Sequence, residues 1–246
     1  MAIQEEYVTP VQSTSVQGTT VQGTPGGAAN VFLQPVAPPS ILGMFAFAGA
    51  TFMIAAWLAG WYGSAMSPFY IAPFVAVCGG IVQLVCSVWA FRARDGLATA
   101  IHGTWGAFYL GYGLLYAIFS LQPRLIPMGG IFPELGMWFV VLAAISWVLT
   151  LAAMGHSLAL AAVMMSVSGG ATFAAIGLLA GVFWCSVLGG YLFILASLCA
   201  LYDGAAQVLK EIYGHEVLKI GYTPRVLAEP GIMAGAGEPG VIHGQR

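Results

Sequence analysis

Charged residues are scarce in this sequence. Only 7% of its 246 residues are Asp, Glu, Lys or Arg, whereas 59% are hydrophobic. Soluble proteins carry about 25% charged residues, because a water-exposed surface needs them. The composition therefore excludes a water-soluble domain and predicts an integral membrane protein that lies in a lipid bilayer. The net charge of −2 offers no attraction to nucleic acid, so we expect no nucleic-acid partner.

The sequence also lacks the residue clusters that bind metals or carry out enzyme chemistry. Its four cysteines fall in apolar segments, and none has the C-x-x-C spacing of a zinc or redox site. Neither paired carboxylates, nor a Ser-His-Asp set, nor a histidine cluster with ligand spacing is present. We predict that the protein is not an enzyme and uses no metal or other cofactor.

Lys and Arg are missing altogether from residues 1–40, which also lack a continuous apolar run. This segment is therefore not a signal peptide. Its richness in Thr, Gln, Gly, Pro and Val predicts a polar tail that is disordered or loosely docked. We expect three parts: this tail (1–40), a transmembrane domain (41–208) and a cytoplasmic C-terminal tail (209–246).

Six apolar segments follow the tail. Each is long enough to cross the ~30 Å hydrocarbon core, which takes about 20 helical residues. Since the alternating pattern of a membrane β-barrel is absent, helices are the expected spanning elements. The fold class is an all-α membrane protein with six transmembrane helices. The predicted spans are 41–63, 69–91, 97–121, 132–154, 157–180 and 184–208.

The basic residues predict the orientation of the bundle. If the amino terminus is cytoplasmic, all basic residues except Arg124 lie on the cytoplasmic side. The positive-inside rule therefore places both termini in the cytoplasm of a multi-pass cell-membrane protein. The residues on that side are Arg92, Arg94, Lys210, Lys219, Arg225 and Arg246.

The third segment carries an unusual stretch, HGTWGAFYLGYG, at residues 102–113. At 100° per residue, five polar or aromatic side chains of this third segment fall within an arc of roughly 80°, and most of its glycines lie elsewhere. An interfacial aromatic belt would sit at a helix end, so ordinary interior packing and a pore wall remain. The residues of this stripe are His102, Trp105, Tyr109, Tyr112 and Tyr116.

Two further polar residues lie at mid-depth, Thr51 in the first segment and Gln83 in the second. Taken singly, each is typical of a hydrogen bond between helices. Together with the stripe they indicate a narrow, weakly polar route. Intramembrane ionisable residues indicate function by default, and His102 and Asp203 are the examples here.

Four stretches resemble motifs of the acetate uptake transporters, a family that includes the succinate–acetate permeases. PPSILGMFAF at 38–47 is similar to the opening signature N-P-A-P-L-G-L-x-G-F. CGGIVQ at 78–83, TWGAFY at 104–109 and VLKEIYGHEVLKIG at 208–221 resemble three further motifs in the same order. The signature residues that this chain retains are Pro39, Leu42, Gly43 and Phe47.

The resemblance implies six helices per subunit, a pore through each subunit and a homo-oligomeric, hexameric ring. It implies a small carboxylate as solute, chiefly acetate, with succinate a further candidate. The family narrows its pore with a phenylalanine, a tyrosine and a leucine. These positions correspond to Phe47, Trp105 and Val167, so two of the three differ here.

A carboxylate can cross an apolar constriction most easily after protonation. Moving an unpaired carboxylate into a low-dielectric medium costs tens of kcal/mol by idealised estimates, whereas protonating a simple acid near pH 7 costs about 3–4 kcal/mol. We expect passage as the neutral acid or as a partly hydrated anion. Hydrogen bonds along this substrate pathway are expected from Thr51, Gln83, His102 and Tyr109.

Two alternatives remain open at this stage. The chain could be a structural or accessory subunit that retains the fold without conducting. It could also conduct another small neutral solute, such as ammonia or urea.

Overall fold

The structure is a computed structural model that describes residues 37–127 and 131–223. Most of the predicted N-terminal tail, and residues 224–246 of the predicted C-terminal tail, lie outside the described residues. Within the described part, helices dominate, as predicted for an all-α protein.

Six long helices are present in the described part of the chain. Five of them are long and apolar enough to cross a membrane, which makes this a multi-pass membrane protein. The exception is the third helix, whose histidine, glycines and tyrosines lower its apolar character. The helices are α1 (Pro39–Leu58), α2 (Ser67–Arg92), α3 (Gly96–Leu121), α4 (Pro133–Met154), α5 (Leu158–Ala180) and α6 (Phe183–Tyr213).

The largest differences from the predicted spans occur in the first and last helices. The prediction for α1 extended to residue 63, but α1 ends at Leu58. Gly60 and Gly63 adopt positive φ values of 78° and 87°, a conformation that ends a right-handed helix. The prediction for α6 stopped at residue 208, whereas the helix continues to Tyr213 and ends where Gly214 adopts a φ of 72°.

The middle of α2 is π-helical. Residues Val75–Val82 form this section between two α-helical ends. Pro73, which has no N–H to donate, lies shortly before the π-helical section, which begins at Val75. A π-helical section holds more residues per turn and recurs at functional sites. Here it contains Gly79 and Gly80, which face α3.

The helices form a closed ring in chain order. Each helix packs against the next, and α6 returns to pack against α1. In addition, α1 contacts α3, so these two helices pack directly against each other across the ring. The buried core therefore lies along the axis of the ring, and the side chains that point inward from α1, α3, α5 and α6 meet there.

Glycines allow the close packing of α2 against α3. A Cβ at Gly80 would lie 2.9 Å from the backbone nitrogen of Leu110, and one at Gly113 would lie 2.3 Å from Ala76 Cβ. In the last helix, Gly190 meets α1 in the same way, 2.7 Å from the nitrogen of Ala59. Close contact of this kind supplies the van der Waals attraction that holds helices together in lipid.

A segment after α6 holds the start of α5. The first N–H groups of a helix have no partner within the helix. Here Leu158 N donates to Gly221 O and Ala159 N donates to Ile220 O, each at 3.0 Å. Thr223 N donates to His156 O, also at 3.0 Å. The turn that carries His156 is thus held to the segment after α6 by hydrogen bonds that involve both His156 and the first residues of α5.

Gly43 of α1 provides the space for His102 of α3. The His102 ring is completely buried, and a Cβ at Gly43 would lie 2.4 Å from Cε1 and 2.5 Å from Nε2 of that ring. Any side chain at this position would overlap the imidazole. The signature glycine therefore sets the distance between α1 and α3.

We predict that Gly43→Ala destabilises the protein by about 1–3 kcal/mol, the usual cost of overpacking. The measurement is the Tm of the detergent-purified protein. Gly49→Ala on the same helix is the matched control, since no described atom lies within 4 Å of a Cβ there.

The second arm of this test is a double mutant. If the overlap with the imidazole is the cause, Gly43→Ala should cost much less in a His102→Ala background. Equal stability of the Gly43→Ala and Gly49→Ala variants would contradict the prediction.

Candidate functional site

Three aromatic rings meet at the axis of the bundle, and we call them the aromatic centre: Phe47 from α1 with Trp105 and Tyr109 from α3. The ring centroids of Phe47 and Trp105 lie 6.0 Å apart at 84°, an edge-to-face contact, and Phe47 lies 6.3 Å from Tyr109. Only 3% of Phe47 and 1% of Trp105 are exposed. Edge-to-face contacts between buried rings are favourable, so these three residues pack as one apolar cluster.

Val167 of α5 is fully buried and belongs to the same hydrophobic core as the aromatic centre. The indole of Trp105 is oriented by a polar group, since its Nε1 donates to Ser146 Oγ of α4 at 3.3 Å. On its other side Trp105 meets Phe193 of α6 edge to face, with centroids 6.0 Å apart. Trp105 therefore connects α3 with α1, α4 and α6.

Thr51 and Tyr109 are hydrogen-bonded to each other. The Thr51 Oγ1 atom lies 2.5 Å from the Tyr109 hydroxyl, and both residues are buried. This contact depends on Gly79 of α2, where a Cβ would lie 2.8 Å from the Tyr109 ring. The structure thus brings together two of the residues predicted for the pathway.

Gln83 and His102, the other two residues predicted for the pathway, also contact each other. Gln83 Nε2 donates to Gly79 O at 2.9 Å, and its Oε1 lies 3.2 Å from His102 Nδ1. Because an amide oxygen can only accept, Nδ1 carries the ring proton. Within the described residues, His102 Nε2 has no hydrogen-bond partner. His102 is packed between α1 and α2 and lines neither of the two cavities described below.

The signature residues lie in three different environments. Pro39 is buried in the first turn of α1, where its missing N–H costs nothing. Gly43 accommodates His102. Leu42 is 54% exposed, so its side chain lies on the outside of the bundle, away from the axis.

A cavity of about 130 Å³, called the larger cavity, lies on one side of the aromatic centre. Its lining comes from the C-terminal halves of α1 and α3, the start of α4, the end of α5 and the start of α6. The walls are mostly aromatic and aliphatic, and hydroxyls are few. The lining residues with hydroxyls are Thr51, Tyr109, Tyr112, Tyr116 and Ser186.

A second cavity, called the smaller cavity, has a volume of about 20 Å³ and lies at the opposite end of the same helices. It is enclosed by the first turns of α1, α3 and α5 and by the C-terminal half of α6. Its polar lining residues are Ser40, Asp95, His156, Asp203 and Gln207.

The aromatic centre lies between the levels of the two cavities. Along α1 the smaller cavity reaches Met44 and the larger one begins at Thr51, with Phe47 between them. Along α3 the corresponding positions are Ile101 and Trp105, and Trp105 also lines the larger cavity. The bundle therefore has two recesses on one axis, with aromatic rings between them.

Sequence analysis missed a set of buried hydroxyls on α4 and α5. Thr150 Oγ1 lies 2.9 Å from Ser168 Oγ, and it donates to Ser146 O at 2.8 Å. Single Ser and Thr residues in apolar helices give no distinctive signal. The spacing of four between Ser146 and Thr150 was a cue that both lie on one face.

Metal-binding clusters are a separate question. Within residues 37–127 and 131–223, no group of three or more His, Cys, Asp or Glu side chains is arranged to hold a metal ion. The groups of the larger cavity that could contact a solute are hydroxyls and aromatic rings, whereas the smaller cavity also presents carboxyl, imidazole and amide groups.

Comparisons with known proteins identify the family to which the chain belongs. No match is found among the curated protein sequences. The solved structure of the bacterial acetate channel SatP is similar in fold, with a TM-score of 0.69 and 20% sequence identity over 76% of this chain and 99% of that one. The model of the GPR1/FUN34/yaaH family matches residues 20–218, well over half of the chain. The predicted resemblance to acetate transporters is confirmed, and the chain belongs to the GPR1/FUN34/yaaH family.

Proposed function

We propose that this protein is a channel or proton-linked transporter for acetate or similar small monocarboxylates. The observation that carries the proposal is the larger cavity, an aromatic recess of about 130 Å³ that ends at the aromatic centre. Its volume is far above the ~10–15 Å³ that one water requires. Membership of the family and the fold shared with an acetate channel support the same solute class.

The chemistry of the larger cavity favours a small neutral solute. Its walls are apolar and carry hydroxyls but no charged side chain. Such walls hold the methyl group of acetic acid by burial, while Thr51 and Tyr112 offer hydrogen bonds to a carboxyl group. An anion would face this surface without a positive partner, which is unfavourable.

In this proposal Phe47, Trp105 and Val167 form the constriction. The edge-to-face contact between Phe47 and Trp105 closes the axis at rest, and a solute passes when one ring rotates. The bonded pair Thr51–Tyr109 lines the approach from the larger cavity and exchanges its hydrogen bond with the solute. The pair Gln83–His102 lies outside both cavities, so it contacts a solute only after the constriction has opened.

The proposal also includes the arrangement in the membrane. We propose that α3 spans the bilayer together with the five more apolar helices, because its polar groups face the interior of the bundle. The smaller cavity then faces the cytoplasm, since Arg92, Arg94 and Lys210 lie at that end. Both termini would be cytoplasmic, and subunits would form a homo-oligomeric, hexameric ring.

Opening the constriction should raise the flux. We expect Phe47→Ala to increase the initial rate of acetate uptake into proteoliposomes by about tenfold, which corresponds to about 1.4 kcal/mol of barrier. Phe47→Leu, which preserves more of the core, should have a smaller effect in the same direction. Trp105→Tyr tests the second ring of the proposed constriction, and it should also change the initial rate of acetate uptake. The matched control is Phe91→Ala, which removes an exposed ring from α2.

The outcomes separate the alternatives. If the purified, folded protein gives no uptake above that of empty liposomes, the structural role is favoured and transport is wrong. Uptake of ammonia or urea that acetate does not inhibit would favour another solute. If none of the variants at Phe47 or Trp105 changes acetate flux, the constriction is assigned to the wrong residues.

Passage as the neutral acid predicts a specific pH dependence. At a fixed total acetate concentration, the uptake rate should fall about tenfold for each unit that the pH rises above the pKa of acetic acid, because the neutral fraction falls by that factor. The measurement is initial uptake between about pH 5 and pH 7, after subtraction of the leak through empty liposomes. A rate that stays constant over this range would show that the anion passes.

A further inference from the structure

Two residues that line the smaller cavity each carry a buried oxygen atom that has no hydrogen-bond donor in the described part of the chain. Only 1% of Asp203 and 8% of Gln207 are exposed, and both residues line this cavity. Asp203 Oδ2 accepts a hydrogen bond from Gln207 Nε2 at 2.9 Å. Within residues 37–127 and 131–223, Asp203 Oδ1 and Gln207 Oε1 have no hydrogen-bond partner.

An ionised Asp203 would be poorly compensated at this site. Burial of a carboxylate is unfavourable unless an opposite charge or several hydrogen bonds replace the lost water. The other charged or titratable groups at the cavity are Asp95 from α3 and His156 from the turn before α5, whereas α1 contributes Ser40. On α6 itself, Lys210 Nζ lies 4.4 Å from the centre of the Tyr222 ring.

We propose that Asp203 is a proton-binding site. A proton on Oδ1 removes the negative charge and turns this oxygen from an acceptor into a donor. One water can then accept from Oδ1 and donate to Gln207 Oε1, so a single proton and a single water satisfy both free acceptors. The cavity volume of about 20 Å³ fits one water, which needs about 10–15 Å³.

The proton comes from a hydronium ion at the end of the bundle. Its O–H bond breaks, with the electron pair remaining on the water, and an O–H bond forms at Oδ1. The helix N-termini of α1, α3 and α5 surround the same cavity, and their partial positive charges favour the ionised carboxylate. Burial and these dipoles therefore act in opposite directions on the charge of Asp203.

This inference does not depend on which solute the protein carries. It concerns the smaller cavity, whereas the proposed constriction and the larger cavity lie further along the axis. The test therefore uses the full-length, detergent-purified protein without any solute.

Infrared difference spectroscopy between about pH 8 and pH 5 detects the carbonyl stretch of a protonated carboxyl group. We expect the wild type to show this band with a reversible pH titration, and Asp203→Asn to lose it. Asp95→Asn, at the same cavity, and Glu134→Gln, an exposed acid at the start of α4, should retain it. Helix content and elution volume verify that each variant is folded.

A second variant keeps the proposal testable if Asp203→Asn fails to fold. In Gln207→Leu the carbonyl oxygen Oδ2 of the protonated carboxyl loses the hydrogen bond that Gln207 Nε2 donates, so the band should move to higher frequency. A band that persists unchanged in Asp203→Asn, or that does not shift in Gln207→Leu, would overturn the proposal. A sodium-dependent Tm would also overturn the proposal. If sodium chloride raises the Tm of the wild type, N-methylglucamine chloride does not, and Asp203→Asn abolishes the rise, the cavity holds a sodium ion.

Discussion

The close approach of α3 to α1 and α2 is the constraint on which the rest of the structure depends. It exists because Gly43, Gly79 and Gly113 have no side chains at the points of contact. In lipid no hydrophobic effect drives helices together, so association depends on van der Waals contact and internal hydrogen bonds. The glycines allow the van der Waals contact, and they bring the hydrogen-bonding side chains within reach of their partners. Without them the His102 ring and the Tyr109 hydroxyl would have no position inside the bundle.

The same approach explains how a less apolar helix is accommodated. Three polar side chains of α3 are paired with groups on three neighbours: Tyr109 with Thr51 of α1, His102 with Gln83 of α2, and Trp105 with Ser146 of α4. An unsatisfied polar group costs several kcal/mol in hydrocarbon. Once these groups have partners inside the ring, the third helix needs to present only its aliphatic and small residues outward.

Much of the architecture could be predicted from the sequence, because apolar runs of this length have one stable form in lipid. The positions of the helix ends were less accessible. Gly60 and Gly63 terminate α1 through positive φ values, and the polar turns after Gln207 continue α6 as a helix beyond the apolar run. Neither effect can be predicted from hydrophobic periodicity alone.

Helical spacing could group site residues only where they share one helix, while the family resemblance supplied Phe47 and Val167 on other helices. The stripe on α3 was visible because helical spacing places Trp105 and Tyr109 on the same face. In contrast, Asp203 was recognisable as an intramembrane acid, but its surroundings come from Ser40, Asp95 and His156 on distant parts of the chain. Contacts of this kind depend on how the ring closes, and no local pattern encodes them.

The closure of the ring by the last helix has a consequence for biosynthesis. Ribosomes make the chain from its amino terminus, so α1 enters the membrane first, and its final partner α6 enters last. Until then, the face of α1 that meets Gly190 lacks this partner, and the first N–H groups of α5 lack the carbonyl groups of Ile220 and Gly221. The axis of the bundle is therefore assembled late, when almost the whole chain has been translated.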